Sequence, residues 1–116
     1  MWTVHGLKNC DTCRKALKWL AAEGIEHRFH DVRKDGLTAD MVGRWAAAVE
    51  LEILINRRGT TWRGLSDGDR AAAESGKAAI PLCAANPALI KRPVFEKDTR
   101  VLVGFTDQVK TELQNL

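Results

Sequence analysis

A short apolar run, Trp2 to Val4, meets a turn at Gly6 to Asn9, and a stretch of good helix formers begins at Cys10. A strand, a turn and then a helix carrying Cys10 and Cys13 on its first turn point to an α/β fold with chemistry at the strand–helix junction. The first N–H groups of a helix have no intrahelical partner, and the helix dipole adds positive potential there. A thiolate at Cys10 is therefore favoured over the thiol, and the thiolate is the nucleophile. Cys13 follows three residues later on the same helix face, within reach to close a disulfide. Lys8 and Arg14 add positive charge. Cys10 reads as an attacking thiol and Cys13 as a resolving thiol, with Lys8 and Asn9 on the turn as candidate substrate contacts. The same spacing also supplies half of a zinc site, or arises incidentally. A structural zinc normally takes four protein ligands, and beyond Cys83, His5, His27 and His30 the chain offers no second C-x-x-C or H-x3-5-H pair. No metal site is expected.

The helix from Asp11 to about Glu23 places Cys13, Ala16, Leu17 and Leu20 on its apolar face, and Gly24 suits a left-handed cap. Ile25 to Val32 reads as a second strand, parallel to the first through a right-handed crossover. After a charged turn at Arg33 to Leu37, Thr38 is a good N-cap for a helix through Met41, Val42, Trp45 and Val49. A short helix is expected over Glu50 to Ile55, a loop or a short turn over Thr60 to Arg63, and an alanine-rich segment from Asp67 to Gly76. A last helix of this block spans about Lys77 to Asn86, with Pro81 early in it or breaking it. Asn86-Pro87 and Arg92-Pro93 then mark a return to strands. Val94 to Lys97 and Arg100 to Gly104 form a hairpin around Lys97-Asp98-Thr99, and Thr106 caps a C-terminal helix through Val109 and Leu113. The order βαβ, helical block, ββα is that of a thioredoxin-like domain, a mixed four-stranded sheet with a helical insertion over about 38–88. With 116 residues, a single domain spanning 1–116 is expected.

Composition narrows the function classes. The chain is 45 % hydrophobic and 28 % charged, ordinary for a globular protein. A net charge of +3 is too small to argue for nucleic acid and suits an anionic substrate. No apolar stretch approaches a membrane span, no basic-then-apolar signal segment opens the sequence, and three cysteines are an odd number for a secreted disulfide framework. These features lead to the expectation of a cytoplasmic protein, with a monomer as the default.

Three blocks carry a family resemblance over nearly the whole chain. They are Gly6-Leu7-Lys8-Asn9-Cys10-Asp11-Thr12-Cys13-Arg14-Lys15-Ala16, Leu54-Ile55-Asn56-Arg57-Arg58-Gly59-Thr60-Thr61-Trp62-Arg63, and Asn86-Pro87-Ala88-Leu89-Ile90-Lys91-Arg92-Pro93-Val94. In this order and at these separations the sequence resembles the arsenate-reductase-like family, the ArsC/Spx/MgsR group, and within it the YffB-like branch of glutathione-dependent thiol reductases. The resemblance implies a thioredoxin fold with a helical insertion, Cys10 as the nucleophile, and Arg58 and Arg92 at the oxyanion-binding arginine positions. It also implies a cis peptide at Pro93, turning Arg92 toward Cys10, so that Arg92 joins the cysteines as a catalytic candidate and Arg58, Arg92 and Pro93 as substrate-binding ones. Two departures weigh against arsenate: the third arginine has no match near Arg100–Gly104, and the histidine four residues before the nucleophile is Gly6 here. His5 lies one residue away and, on a strand, faces the opposite side. Cys13 is shared with the Spx branch, where the pair is a redox switch.

The activity implied is that of a glutathione-dependent thiol-disulfide reductase without a bound cofactor, with glutathione as co-substrate. A glutaredoxin-coupled arsenate reductase and a Spx-like regulator binding RNA polymerase are the alternatives. Among the remaining residues, Cys83 reads as a small buried hydrophobe, Trp45 and Trp62 as packing, and His27 and His30 as exposed polar positions.

Overall fold

The computed structural model describes residues 1–115. The chain divides into two compact units, one made of residues 1–35 and those from Arg92 onward, the other of Gly36–Lys91.

The first unit holds the sheet. Strand β1 (Trp2–Gly6) leads into helix α1 (Asp11–Ala22) and strand β2 (His27–Asp31). Strands β3 (Val94–Lys97) and β4 (Arg100–Val103) and the closing helix α7 (Asp107–Asn115) come from the far end of the chain. The strand order is β2-β1-β3-β4. β1 runs parallel to β2 and antiparallel to β3, and β3 and β4 form the expected hairpin. This is the mixed, thioredoxin-like four-stranded sheet with a helical insertion. Because side chains alternate along a strand, Trp2 and Val4 share one face of β1. They pack with Ala16 and Leu20 of α1, Phe95 of β3, and Val109 and Leu113 of α7. Burying a large side chain such as Leu20 or Phe95 contributes roughly 1.5–3 kcal/mol each. His5 and Thr3 point to the other face. His5 is buried there, with Nε2 3.0 Å from Glu96 Oε1 and its ring edge-on to His30 at 5.1 Å. His27 and His30 are half-buried rather than exposed, because a parallel partner strand covers positions that the sequence shows only as polar. Gly24 adopts φ 69° at the end of α1, and Thr106 Oγ1 accepts the Val109 N–H at 3.2 Å.

The second unit is helical: α2 (Ala39–Ala48), α3 (Leu51–Leu54), α4 (Thr60–Arg63), α5 (Asp67–Ala72) and α6 (Gly76–Ala85). Thr38 caps α2 as its sequence suggests, accepting the Met41 N–H at 3.2 Å, and Val42 and Trp45 are buried. Thr60–Arg63 is a helical turn, closed by the Gly64 N–H on the Thr60 carbonyl and tied back by Arg63 Nη1 on the Arg58 carbonyl. One expectation here, at Pro81, needs correcting. Pro81 neither starts nor breaks α6 but lies inside it. It sits on the exposed side with Lys77, so water can satisfy the carbonyl that loses its partner. After Asn86 the chain makes a 3-10 turn (Pro87–Leu89) and a single antiparallel bridge between Ile90 and Ile55 before any strand begins.

Candidate functional site

Parallel pairing with β2 fixes the end of β1, so the chain leaves Gly6 at a defined point. Gly6 pairs with Asp31, and its carbonyl accepts the Val32 N–H at 2.9 Å. Leu7 to Asn9 then turn into α1, with Lys8 and Asn9 exposed. Asp31 secures this turn. Its carboxylate, buried at the end of β2, receives the backbone N–H of Lys8 at 3.4 Å, of Arg33 at 2.9 Å and of Lys34 at 3.0 Å. The Lys34 N–H leads the interactions that hold its pKa below the ordinary value; burial opposes them.

Cys10 is the N-cap of α1, in extended conformation, and is partly exposed. Hydrogen bonding and charge both act on its sulfur. Burial is the largest single influence on its titration and raises the pKa. The backbone N–H and the thiol of Cys13, the charge of Arg92 and the Thr12 N–H act against it, and the balance falls below the ordinary 9.0. Cys13, one turn on, is 1 % exposed. Burial pushes its thiol up to about 11, the hydrogen bond to Cys10 and the Cys10 charge add to that, and the Leu7 N–H and Arg92 offset part of it. The pair is thus asymmetric: a thiolate-prone sulfur facing outward and a protonated one behind it. Both are free thiols, as is Cys83. Arg92 precedes Pro93 through a cis peptide, and the Pro93 carbonyl accepts the Gly104 N–H at 2.9 Å.

The structure therefore gathers Cys10, Cys13 and Arg92 in the first unit, with Lys8 and Asn9 on the adjoining turn. Arg58 belongs to the second unit. It is exposed in the turn after α3, its N–H bonded to Asn56 Oδ1 at 3.1 Å. With Asn56, Arg57, Lys91, Glu52 and Ile55 it lines a cavity of about 290 Å³. Among the described residues, no group of three or more His, Cys, Asp or Glu is placed to hold a metal ion. Cys83 is fully buried in α6, and burial raises its thiol to about 11. Asp31 is a site residue that the sequence does not single out.

The sequence model of the ArsC family matches residues 5–112. The chain belongs to the ArsC family. A solved structure of a YffB protein superposes with a TM-score of 0.90 at 35 % identity, covering 98 % of this chain and 99 % of that one. An arsenate reductase (ArsC) related protein from Brucella melitensis has 40 % identity and a TM-score of 0.76, over 99 % of this chain and 95 % of its own. An uncharacterized protein of Haemophilus influenzae is 43 % identical over 108 residues, 93 % of this chain and 94 % of the relative. Family membership and a cysteine pair at the start of α1 support thiol-redox chemistry of the oxidoreductase type for this ArsC-family chain. No helix of the described residues is long and apolar enough to cross a membrane.

Proposed function

We propose that this ArsC-family protein is a glutathione-dependent thiol-disulfide reductase with Cys10 as its nucleophile. One observation carries the reading: Cys10 is partly exposed at the N-terminus of α1 with its thiolate favoured, while Cys13 lies buried and protonated beside it. The Cys10 thiolate attacks one sulfur of a disulfide, forming a mixed disulfide and releasing the other sulfur as a thiolate. Cys13 then attacks the Cys10 sulfur, closing the Cys10–Cys13 disulfide and releasing the bound thiol, or, where the adduct is with glutathione, a second glutathione attacks the glutathione sulfur and releases Cys10 and glutathione disulfide. The proton of the resolving thiol passes to the departing thiolate. The substrate disulfide gains two electrons, and two glutathione molecules, oxidised to their disulfide, restore the Cys10 and Cys13 thiols. Arg92 has two roles here: its charge favours the thiolate and its guanidinium can pair with a carboxylate. Glutathione carries two carboxylates, which suits Arg92, Lys8 and the Lys8–Asn9 turn, with Pro93 holding Arg92 in place. Arg58 is proposed as a further anion contact from the resemblance of its block. Three free thiols suit a reducing compartment, and the cytoplasm is proposed.

Purified protein should reduce a glutathione mixed disulfide with glutathione as the electron source. Cys10→Ser should lower turnover at least about a hundredfold, since a serine hydroxyl forms no mixed disulfide. Cys13→Ser should keep the first attack and part of the turnover. A Cys10→Ser protein that still forms a glutathione adduct, while Cys13→Ser does not, would reverse the assignment. Turnover of arsenate but not of the mixed disulfide would replace it.

A further inference from the structure

Gly6 sits in the middle of this site and has no side chain. A Cβ built on it would lie 2.5 Å from Cys13 Sγ, 3.4 Å from Cys13 Cβ and 3.5 Å from Phe29 Cε1. The first distance is shorter than real Cβ contacts allow; the other two are tight or ordinary packing. Gly6 does not need glycine for its backbone. It is a strand residue paired with Asp31, and it is not among the residues of positive φ. What the position requires is space, and the atom in that space is the Cys13 sulfur.

We infer that Gly6 is the positioning residue that makes this chain a dithiol rather than a monothiol protein, by leaving the room in which Cys13 Sγ faces Cys10. This deepens the reductase reading above and rests on it for the resolving role of Cys13. Pairing on β1 and the Val32 N–H hold the Gly6 backbone, whereas Cys13 Sγ is the end of a one-torsion side chain. A methyl group at position 6 therefore displaces the sulfur before it displaces the strand. Displacement takes the sulfur away from the Leu7 N–H and from Cys10, two of the groups it interacts with. The step affected is the second one, in which the Cys13 sulfur bonds to the Cys10 sulfur, the Cys10–glutathione S–S bond breaks, and glutathione leaves with the Cys13 proton. Attack by Cys10 remains. Its adduct then waits for a second glutathione.

The test uses four full-length proteins: wild type, Gly6→Ala, Cys13→Ala and the double variant. Each is equilibrated in mixtures of reduced and oxidised dithiothreitol, quenched with an alkylating agent and weighed intact. Gly6→Ala should need at least about tenfold more oxidised dithiothreitol to reach half disulfide, equivalent to about 30 mV for two electrons. Treated with glutathione disulfide, it should accumulate the Cys10 adduct that wild type converts to an internal disulfide. In the Cys13→Ala background the nearest atoms left for the added methyl are the residue-13 Cβ at 3.4 Å and Phe29 Cε1 at 3.5 Å, so Gly6→Ala there should leave the melting temperature and the Cys10 alkylation rate unchanged. A midpoint within twofold of wild type overturns the inference, and so does an equal disturbance in both backgrounds. If Gly6→Ala does not fold, a folded double variant supports the inference and an unfolded one refutes it. A wild type that cycles in dithiothreitol but not with glutathione defeats the reductase reading alone, leaving the midpoints to decide on Gly6.

Discussion

At the scale of single residues, the site depends on how far neighbours offset the burial of a sulfur. For Cys10 they win: the Cys13 groups and Arg92 outweigh desolvation. For Cys13, with nearly complete burial, they lose. Alkylation of Cys10, followed by peptide mapping against pH, should therefore show a midpoint below 9.0, with the rate rising as pH passes through it. Arg92→Gln removes a positive charge and Cys13→Ala removes a hydrogen-bond donor, so each should move the midpoint upward. A midpoint at or above the ordinary value in wild type would leave the nucleophile without its electrostatic support. Much of this was legible in the sequence. A helix N-terminus favours a thiolate wherever it occurs, and the apolar periodicity of Cys13, Ala16 and Leu20 announces the burial of the second cysteine. The need for glycine at position 6 was not legible, because it depends on how α1 lies against the end of β1, and no local pattern encodes that distance.

Single elements show the same division. Capping is local chemistry, so Thr38, Thr106 and Gly24 end or begin their helices as the sequence indicates. The sequence leaves Thr60–Arg63 open between a loop and a short turn because the support that makes it helical is a side chain reaching back, Arg63 onto the Arg58 carbonyl, with Arg57 stacked over Trp62 at 5.4 Å. Pro81 was misplaced because α6, with Ala78, Ala79, Ile80, Leu82, Cys83 and Ala84 around it, is apolar on most sides and so its pattern does not mark the side that faces water. The Leu7–Asn9 turn yields a prediction at this scale. Asp31 satisfies N–H groups of Lys8, Arg33 and Lys34, and only an ionised carboxylate accepts from all of them without donating. Asp31→Asn should cost about 1–2 kcal/mol in urea denaturation. It should also slow the first attack by Cys10, whose turn it releases. The sign of the pH dependence follows from a pKa lowered in the folded state. The unfolded chain takes up the proton first as pH falls, so the stabilisation is present above the ordinary carboxylate range and is lost through the lower folded value. Wild type should lose stability toward acid more steeply than Asp31→Asn. Parallel acid limbs would remove Asp31 from this role.

For the whole molecule, the decisive pairing is the one between β1 and β3. The order of elements suggested a thioredoxin-like sheet, because a βαβ unit must be parallel and a tight ββ hairpin antiparallel. How the two halves join was not encoded locally: Val4 pairs with Phe95, and Thr3 with Glu96, across the full helical insertion. β1 is therefore an interior strand only when the C-terminal segment is present. The core built on Trp2 and Val4 likewise draws Phe95, Val109 and Leu113 from that segment. A chain ending at Lys91 retains β1, α1 and β2 but loses one edge of β1 and those three side chains. A two-stranded pair under one helix is marginal in water. Amide hydrogen exchange should therefore show Thr3 to His5 protected in the full chain and exchanging freely in the truncated one. Cys10 in the truncated chain should also titrate nearer its ordinary value, since Arg92 and the fixed end of β1 both go with the lost sheet. Slow exchange at Thr3 to His5 in the truncated chain would show instead that the βαβ unit holds the start of the site by itself, with the hairpin added to a fold already made.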